Sequence, residues 1–211
     1  ILLTRRGQVL RLPLDDCRAR QLGLEEVLAS VLNGEDALAA ATVANARETV
    51  FFFTDQGNVF RAPAHQLPDG IQQPRGAALR SIAHLSAQER AVAVLHSDNP
   101  DQQDLYVCLG TVQGKVKRLA LSEINGISGA SGQVIGLSDG DTLGWATFCG
   151  DKDELLLVTA LGRAIRFAAD TVRPQGRSAG GMRGISLSDG DAVIGMEKAR
   201  EEAECVLVTR D

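Results

Sequence analysis

The chain has 211 residues, of which 44% are apolar and 23% are charged, and its formal net charge is −5. This is the balance of an ordinary globular protein, and it excludes an intrinsically disordered chain. No apolar run approaches the roughly 20 residues of a spanning helix, so no membrane partner is expected, and the negative net charge argues mildly against a nucleic-acid partner without showing how the charges are distributed.

The first predicted element is a β-hairpin that opens the chain, and we expect no secretory leader before it. Its sequence is ILLTRRGQVLR, from Ile1 to Arg11. Two short apolar runs flank a turn that ends in Gly7, where glycine supplies the left-handed backbone conformation that such turns require. Leu24–Leu32 has helical propensity, but we interpret it as a loop leading into a third strand, because later repeats have a strand there.

The hairpin frame, T-x-x-G-x-x-x-R, recurs along the chain. Its later copies lie within Val50–Arg61, Val107–Arg118 and Leu155–Phe167. Each copy is followed by a leucine with a carboxylate four residues later, most clearly in Leu137–Asp141 and Leu187–Asp191, which both read L-S-D-G-D. Successive frame threonines are 50, 57 and 48 residues apart, and a further apolar run near the end of the chain resembles the first strand of a fifth copy.

A period of about fifty residues filled with short strands indicates radial β repeats such as propeller blades. The predicted fold is therefore all-β, a radial array of four-stranded antiparallel blades with about four repeats. The whole chain, 1–211, forms a single domain in this interpretation. Its predicted repeats are about 1–46, 47–104, 105–153 and 154–203, and 204–211 is the opening strand of a fifth.

The residue types that commonly carry chemistry do not converge in this sequence. The four cysteines have no C-x-x-C spacing, and we interpret them as buried thiols of a cytoplasmic protein rather than as a disulfide or metal set. The Asp-Gly-Asp turns lack the alternating ligands of a calcium loop. Tyr106 is the single tyrosine and has no cluster of charges beside it, so it is assigned no catalytic role. We therefore predict no enzymatic activity, no cofactor and no metal. The cysteines are Cys17, Cys108, Cys149 and Cys205.

The strongest candidate for function is the arginine that closes each hairpin frame. Because side chains alternate along a strand, each of these arginines points the same way as the residue two positions before it, and all four recur on one side of the assembly. One hypothesis is that they form ion pairs with the recurring carboxylates, which would add little stability. The other is that they form a basic track for DNA phosphates. The arginines are Arg11, Arg61, Arg118 and Arg166, and the carboxylates are Asp36, Glu89, Asp141 and Asp191.

Other cations support the second hypothesis, because they cluster at the hairpin turns and in the loops that follow. Acidic residues lie mostly elsewhere, in the L-S-D-G-D turns and in Glu197–Glu204. We therefore add these cations to the four arginines as predicted DNA contacts on an outer rim, where positive charges can engage successive turns of a bent duplex. The added cations are Arg5, Arg6, Lys115, Lys117, Arg163, Arg173, Arg177 and Arg183.

Several segments resemble one bacterial family. The residues that carry the resemblance are Gly114–Arg118, Gly162–Phe167, Val172–Ile185, both L-S-D-G-D turns and Gln66-Leu67-Pro68. They are similar to the C-terminal domains of the A subunits of bacterial DNA gyrase and of topoisomerase IV, and the resemblance covers essentially the whole chain. It implies a β-pinwheel, in which neighbouring repeats exchange strands, that binds and bends double-stranded DNA around its rim and carries no active site.

The resemblance also implies partners and a location. The partners would be the N-terminal catalytic part of the same polypeptide, which holds the cleaving tyrosine, and the ATPase subunit of the topoisomerase. The location would be the cytoplasm, on the nucleoid. Whether the parent protein is a gyrase or a topoisomerase IV, and whether the ring of blades closes, stays open at this point.

One motif departs from the family. Gyrases carry a basic, glycine-rich box in the first repeat, and the matching stretch here keeps one glycine and one cation and contains two acids. Because carboxylates repel phosphates, we predict weak, salt-sensitive DNA binding and impaired wrapping. The alternative is a propeller-type protein-interaction domain that has lost DNA binding. The residues of the degenerate box are Arg20, Gln21, Gly23, Glu25 and Glu26.

Overall fold

A computed structural model describes residues 1–15, 32, 36–99, 102, 104–127, 131–200 and 204. Within these residues the chain forms fifteen β-strands and two short α-helices, together with 3-10 turns at Ala64–Gln66 and Ala169–Thr171. No helix in this part of the chain has the length and apolar character needed to cross a membrane. The strands are β1 (Leu2–Thr4), β2 (Gln8–Leu10), β3 (Leu38–Ala41), β4 (Thr49–Thr54), β5 (Asn58–Pro63), β6 (Ala77–Ala78), β7 (Ala91–Ser97), β8 (Tyr106–Thr111), β9 (Lys115–Ala120), β10 (Ser131–Gln133), β11 (Leu143–Cys149), β12 (Glu154–Thr159), β13 (Ala164–Ala168), β14 (Met182–Arg183) and β15 (Val193–Ala199), and the helices are α1 (Leu79–Ala83) and α2 (Leu121–Asn125).

The strands form four sheets, whose orders are β3-β1-β2-β6, β10-β5-β4-β7, β11-β8-β9-β14 and β13-β12-β15. Every pairing between neighbouring strands is antiparallel. The predicted all-β fold of antiparallel blades is therefore confirmed. In the described residues the fourth sheet has three strands, one fewer than predicted. The predicted fifth opening strand, apart from Glu204, and all of Leu24–Leu32 except Leu32 lie outside the described residues.

Three blades are each completed by a strand from the following repeat. β6 pairs with β2, β10 pairs with β5, and β14 pairs with β9. The first strand of each pair belongs to the second, third or fourth predicted repeat, whereas its partner belongs to the repeat before. The first three blades therefore have the strand exchange that the family resemblance implies.

The opposite edges of the sheets meet one another. β3 contacts β7, β7 contacts β11, and β11 contacts β15. Each of these strands is the edge of its sheet on the side away from the exchanged strand or, in the fourth sheet, away from β13. The blades therefore share an inner side made of these four strands, and the exchanged strands β6, β10 and β14 lie along the outer edge.

The apolar core lies in layers between neighbouring blades. Phe51 and Phe53 pack in the layer between the second and third blades, whereas Val50 and Phe52 pack in the layer between the first and second. Because β4 is buried on both faces, its apolar residues run continuously instead of alternating with polar ones. All four of these side chains are 0% exposed. A third layer lies between the third and fourth blades.

The T-x-x-G part of the hairpin frame is a hydrogen-bonded turn. In each copy the glycine N–H donates to the threonine carbonyl at 2.9–3.0 Å, and the threonine Oγ1 accepts from the N–H of the residue after the glycine at 3.1–3.2 Å. The four glycines have φ angles between 76° and 82°, which only glycine adopts at little cost. The threonines are at most 1% exposed. The two fixed residues of the turn therefore stabilise the fold and are not available to a ligand.

Glycines also precede two of the exchanged strands, where the backbones approach closely. Gly181 has φ 80°, and a Cβ atom there would lie 2.7 Å from the Val116 carbonyl oxygen in β9. Gly162, with φ 78°, has open space around the same position. We expect Gly181→Ala to lower the free energy of unfolding by roughly 2–5 kcal/mol and Gly162→Ala by roughly 1–2 kcal/mol, because both strain the backbone but only the first also clashes. Urea unfolding of the two variants measures the difference, and equal losses would contradict the close approach.

Cys108 and Cys149 form a disulfide, which corrects the interpretation of all four cysteines as thiols. Their burial is as predicted, since both are 0% exposed. They lie in β8 and β11, which are neighbouring antiparallel strands, and their Cα atoms are 6.2 Å apart, within the span of a disulfide. The separation of 41 residues gave no sign of this, because it reflects which strands are neighbours in a blade rather than a local motif. Cys17 and Cys205 lie outside the described residues.

Candidate nucleic-acid interface

The outer edge of the third blade carries a stretch of exposed positive charge. Residues 172–183, which end in β14 and are named here the outer arginine segment, contain three arginines and no carboxylate. Arg173, Arg177 and Arg183 are all exposed. Within the described part of the chain, none of the three guanidinium groups has a hydrogen-bond or ion-pair partner. An anion can therefore approach them without competition from a neighbouring carboxylate.

Lys117 holds the outer arginine segment from the inside. Its side chain is 0% exposed, and its ammonium donates hydrogen bonds to the carbonyl oxygens of Val134 at 2.7 Å, Arg177 at 2.8 Å and Ala179 at 2.9 Å. Burial lowers the pKa of Lys117 to about 8, which leaves the amine protonated in most molecules at neutral pH. Lys117 was predicted to contact DNA from the rim, and its burial corrects that prediction.

Further hydrogen bonds fix the path of the segment. The Gln175 N–H donates to the Arg118 carbonyl at 2.9 Å, and the Gln175 side-chain oxygen accepts from the Gly181 N–H at 3.1 Å. The Arg177 carbonyl is bound from the inside by Lys117 while the Arg177 side chain is exposed. The segment therefore has a fixed backbone and presents guanidinium groups to solvent.

The frame arginines do not form the predicted basic track. Arg118 is 2% exposed, and its guanidinium carbon lies 3.7 Å from the centre of the Tyr106 ring, so its predicted place on the rim is wrong. Val9 and Val116, two positions before frame arginines, are 0% exposed, so this strand face points into the layers between blades. Arg166 is exposed because no described blade packs on that face of the fourth sheet. The partners are Asp69 for Arg11, the Asn125 and Ile127 carbonyls for Arg61, Asp151 for Arg118 and Glu154 for Arg166.

The recurring carboxylates bind the hairpin turns, and none of the ion pairs above involves them. Asp191 accepts hydrogen bonds from the N–H groups of Leu161 at 3.0 Å and Ala192 at 2.9 Å, and Asp36 and Asp141 accept the equivalent pairs in their own turns. Burial alone would raise the pKa of Asp191, but hydrogen bonds from the frame threonine and these N–H groups lower it below its ordinary value. The carboxylates thus explain the second recurring element of each repeat as part of the turn.

Replacing Asp191 with asparagine should make the free energy of unfolding depend less on pH in the acid range. Because the folded-state pKa of Asp191 lies below the ordinary value of 3.8, the carboxylate stabilises the fold above that pH, and this contribution is lost as the pH falls through the folded-state pKa. Asparagine accepts the same N–H groups but does not titrate, so the difference in unfolding free energy between wild type and Asp191→Asn should shrink in acid. Urea unfolding at neutral pH and below pH 3.8 measures it. Asp189→Asn, which replaces an exposed carboxylate in the same turn, is the control. If the difference between wild type and Asp191→Asn is as large in acid as at neutral pH, this role of Asp191 is contradicted.

The remaining predicted DNA contacts lie at the hairpin turns. Arg5 and Arg6 are exposed in the first turn. Arg163 is exposed at the fourth turn and donates to two serine oxygens at 3.2 Å. Lys115 is half-buried in β9 and donates to the Ser138 hydroxyl. Lys115 lies opposite Arg183 of the outer arginine segment in the pairing of β9 with β14, whereas Arg5, Arg6 and Arg163 lie at the hairpin turns of the first and fourth blades.

The degenerate box at residues 20–26 lies outside the described residues. Arg75, which was not among the predicted contacts, is exposed and directly precedes Gly76. Gly76 lies immediately before β6, as Gly181 lies before β14, so Arg75 belongs to the outer edge of the first blade. Aligning Gly76 with Gly181 in the sequence would have placed Arg75 beside an exchanged strand.

One protein family matches most of the chain. It is described as "DNA gyrase C-terminal domain, beta-propeller", and it matches residues 1–18, 48–77, 105–144 and 153–200. These ranges include all four T-x-x-G turns and the whole outer arginine segment. The match therefore covers the elements that define both the blades and the candidate interface.

Individual relatives and solved structures agree with this match. The A subunit of DNA gyrase from Salmonella typhimurium is 31% identical over 211 residues, which are 100% of this chain and 24% of that protein. For the gyrase A subunit of Mycolicibacterium smegmatis the identity is 29% over 211 residues, with 99% and 25% covered. The chain thus spans about a quarter of the length of these curated relatives.

The solved structures show the same fold at lower identity. The C-terminal domain of DNA topoisomerase IV aligns with a TM-score of 0.79 at 23% identity, over 95% of this chain and 61% of that one. The DNA gyrase A C-terminal domain aligns with a TM-score of 0.69 at 20% identity, over 95% and 64%.

Proposed function

The chain belongs to the DNA gyrase C-terminal domain family of beta-propellers, and on that basis we propose that it binds and bends double-stranded DNA as a non-catalytic part of the A subunit of a type IIA topoisomerase. The observation that carries the proposal is the outer arginine segment, with three exposed arginines and no carboxylate in residues 172–183. Contacts of this kind go to phosphates and carry no sequence information. The proposed binding is therefore independent of DNA sequence.

The proposed mechanism is electrostatic. Guanidinium groups on the outer edge neutralise phosphates and release condensed counterions, which favours binding. The outer edge is curved because the blades are arranged radially, so a duplex reaches cations on successive blades only when it bends. The hydrogen bonds of Lys117 support this mechanism, because a segment whose backbone is already fixed loses little conformational freedom on binding.

In the whole protein, the proposed partners are the N-terminal catalytic part of the same polypeptide and the ATPase subunit of the topoisomerase. DNA cleavage would belong to the catalytic part, which in this proposal holds the reactive tyrosine. This chain would present a crossing DNA segment to it. The proposed location is the cytoplasm, on the nucleoid.

We further propose that wrapping of DNA around this domain is impaired. In the degenerate box, Glu25 and Glu26 stand where the family has basic and glycine residues, and carboxylates there repel phosphates. Ligation of nicked circles with the domain bound measures the writhe that the protein imposes. Strong positive writhe would contradict this part of the proposal while leaving DNA binding intact.

Duplex binding measured over a series of salt concentrations tests the proposed function. We expect the logarithm of the binding constant to fall linearly with the logarithm of salt concentration, with a slope of about −3 or steeper if all three segment arginines contact phosphates. Absence of binding even at low salt would favour the protein-interaction domain, which the net charge of −5 and the ion pairs of Arg11 and Arg166 also favour.

A further inference from the structure

A surface cavity of about 330 Å³ lies between the first hairpin turn and α1. Four arginines line it: Arg5 and Arg6 come from the turn, and Arg80 and Arg90 come from the second repeat. Leu79, which is 1% exposed, is among the apolar residues of the lining. The cavity therefore combines cationic walls with an apolar surface, and it lies apart from the outer arginine segment of the third blade.

Arg80 takes the place of a buried isoleucine in the later repeats. In three repeats the residue directly after the exchanged strand donates its backbone N–H to the carbonyl of the turn glycine in the repeat before. These three donor residues therefore occupy equivalent positions in their repeats. The bonds are Leu79 to Gly7 at 2.8 Å, Val134 to Gly57 at 2.9 Å and Gly184 to Gly114 at 2.9 Å. The residue that follows is Arg80 in the second repeat, Ile135 in the third and Ile185 in the fourth. Both isoleucines are buried, at 0% and 9% exposure, whereas Arg80 is exposed.

The space beside the turn glycine changes accordingly. A Cβ atom on Gly57 would lie 2.8 Å from Ile135, and one on Gly114 would lie 2.9 Å from the carbonyl oxygen of Ile185. A Cβ atom on Gly7 would meet nothing within 4 Å. The second repeat forms α1 where the other two continue as extended chain, so the first turn is left uncovered and the cavity opens there.

The lining of the cavity carries more positive than negative charge, although Asp36 beside the lining attracts Arg6 and Asp55 accepts the Arg90 N–H at 3.0 Å. Glu89 is the one carboxylate among the described residues of the lining. Its oxygens accept hydrogen bonds from the Thr54 hydroxyl at 2.6 Å, the Asn58 amide at 2.9 Å and the Ser86 N–H at 3.3 Å. In the described part of the chain, the guanidinium groups of Arg5, Arg80 and Arg90 form no ion pair or hydrogen bond.

We propose that this cavity binds a phosphoryl group. Guanidinium groups match phosphate oxygens with paired hydrogen bonds, and Arg is the usual residue for such recognition. The volume is within the range of small-molecule sites, so a pyrophosphate or the phosphates of a nucleotide fit it. A phosphate of the DNA backbone presents the same chemistry. The proposal goes beyond DNA bending by the outer edge, because it requires neither a bent duplex nor the outer arginine segment.

Titration calorimetry with inorganic pyrophosphate, and separately with a short duplex, tests the proposal and distinguishes the two sources. The cavity variant is Arg80→Gln combined with Arg90→Gln. The matched control is Arg173→Gln combined with Arg177→Gln, which removes the same charge from the outer edge. All four side chains are exposed, so both variants should fold, and thermal melting followed by circular dichroism checks this.

Saturable pyrophosphate binding that weakens at least about tenfold in the cavity variant, but not in the control, supports a free phosphoryl ligand. No pyrophosphate binding, together with weaker duplex binding in the cavity variant, supports a DNA phosphate as the ligand. If the cavity variant binds both probes as the wild type does, the proposal is overturned. The pyrophosphate titration requires no DNA binding, so failure of the proposed DNA function is recognised separately.

Discussion

Replacing Lys117 with methionine should lower the free energy of unfolding by about 3 kcal/mol. Methionine fills a similar volume but has no N–H group, so the carbonyls of Val134 and Arg177 lose the Lys117 donor, whereas the Ala179 carbonyl keeps the Gly136 N–H at 3.1 Å. Each buried acceptor left without a donor costs about 1–3 kcal/mol, and part of that cost is offset because no ammonium has to be removed from water. Urea unfolding near neutral pH measures the loss.

Lys115→Met is the matched control for this experiment. Lys115 lies two residues earlier in β9, is half-buried, and donates to one side-chain hydroxyl, that of Ser138. Its replacement should cost no more than about 1.5 kcal/mol, the net value of a typical single hydrogen bond. If Lys117→Met costs no more than Lys115→Met, the three carbonyl contacts do not hold the outer arginine segment.

Replacing Arg173, Arg177 and Arg183 together with glutamine should weaken duplex binding roughly a hundredfold near physiological salt, because three phosphate contacts are lost. The salt slope of binding should become shallower by about three, one unit for each contact. Because the three side chains are exposed and have no partner among the described residues, the fold should be unaffected. Fluorescence anisotropy with a labelled duplex over a salt series measures both quantities.

The control for charge alone is the triple variant Arg11→Gln, Arg47→Gln and Arg166→Gln, which changes the net charge equally. Arg47 is exposed two residues before β4, in the second blade and outside the outer arginine segment. Arg11 and Arg166 already pair with Asp69 and Glu154. We expect the affinity of this variant to fall less than about threefold, because paired arginines release few counterions on binding. If both triple variants weaken binding equally, the interface follows overall charge and is not located at the outer arginine segment.

The repeat in the sequence was sufficient to predict the fold class, because two local rules agree. Hairpin turns need glycine in a left-handed conformation, and the threonine before it is needed for a side-chain hydrogen bond, so the T-x-x-G pattern marks each turn directly. The L-S-D-G-D carboxylate marks the segment that binds the turn. The strand pairing that joins Cys108 to Cys149 is a property of the assembled blade and has no local pattern.

The place of the charged side chains was harder to predict. Strand alternation correctly put each frame arginine on the same face as the residue two positions before it, such as Val9 or Val116. The prediction did not take into account that a strand face with valine in several repeats is buried. An arginine at the end of such a face therefore points inward and needs a partner. Lys117 lies on the other face of β9, and its burial follows from strand exchange, since the following repeat covers it.

The exchange of β6, β10 and β14 also means that each of the first three blades is built from two successive sequence repeats, so the boundaries of the blades and of the repeats in the gene differ. A deletion of one whole period, from the start of one hairpin frame to the start of the next, removes one hairpin and one exchanged strand together. The blade before the deletion is then completed by a strand from the next remaining repeat, so the number of blades can change by whole periods. Loss of repeats from the C-terminal end instead leaves the last remaining blade without its exchanged strand.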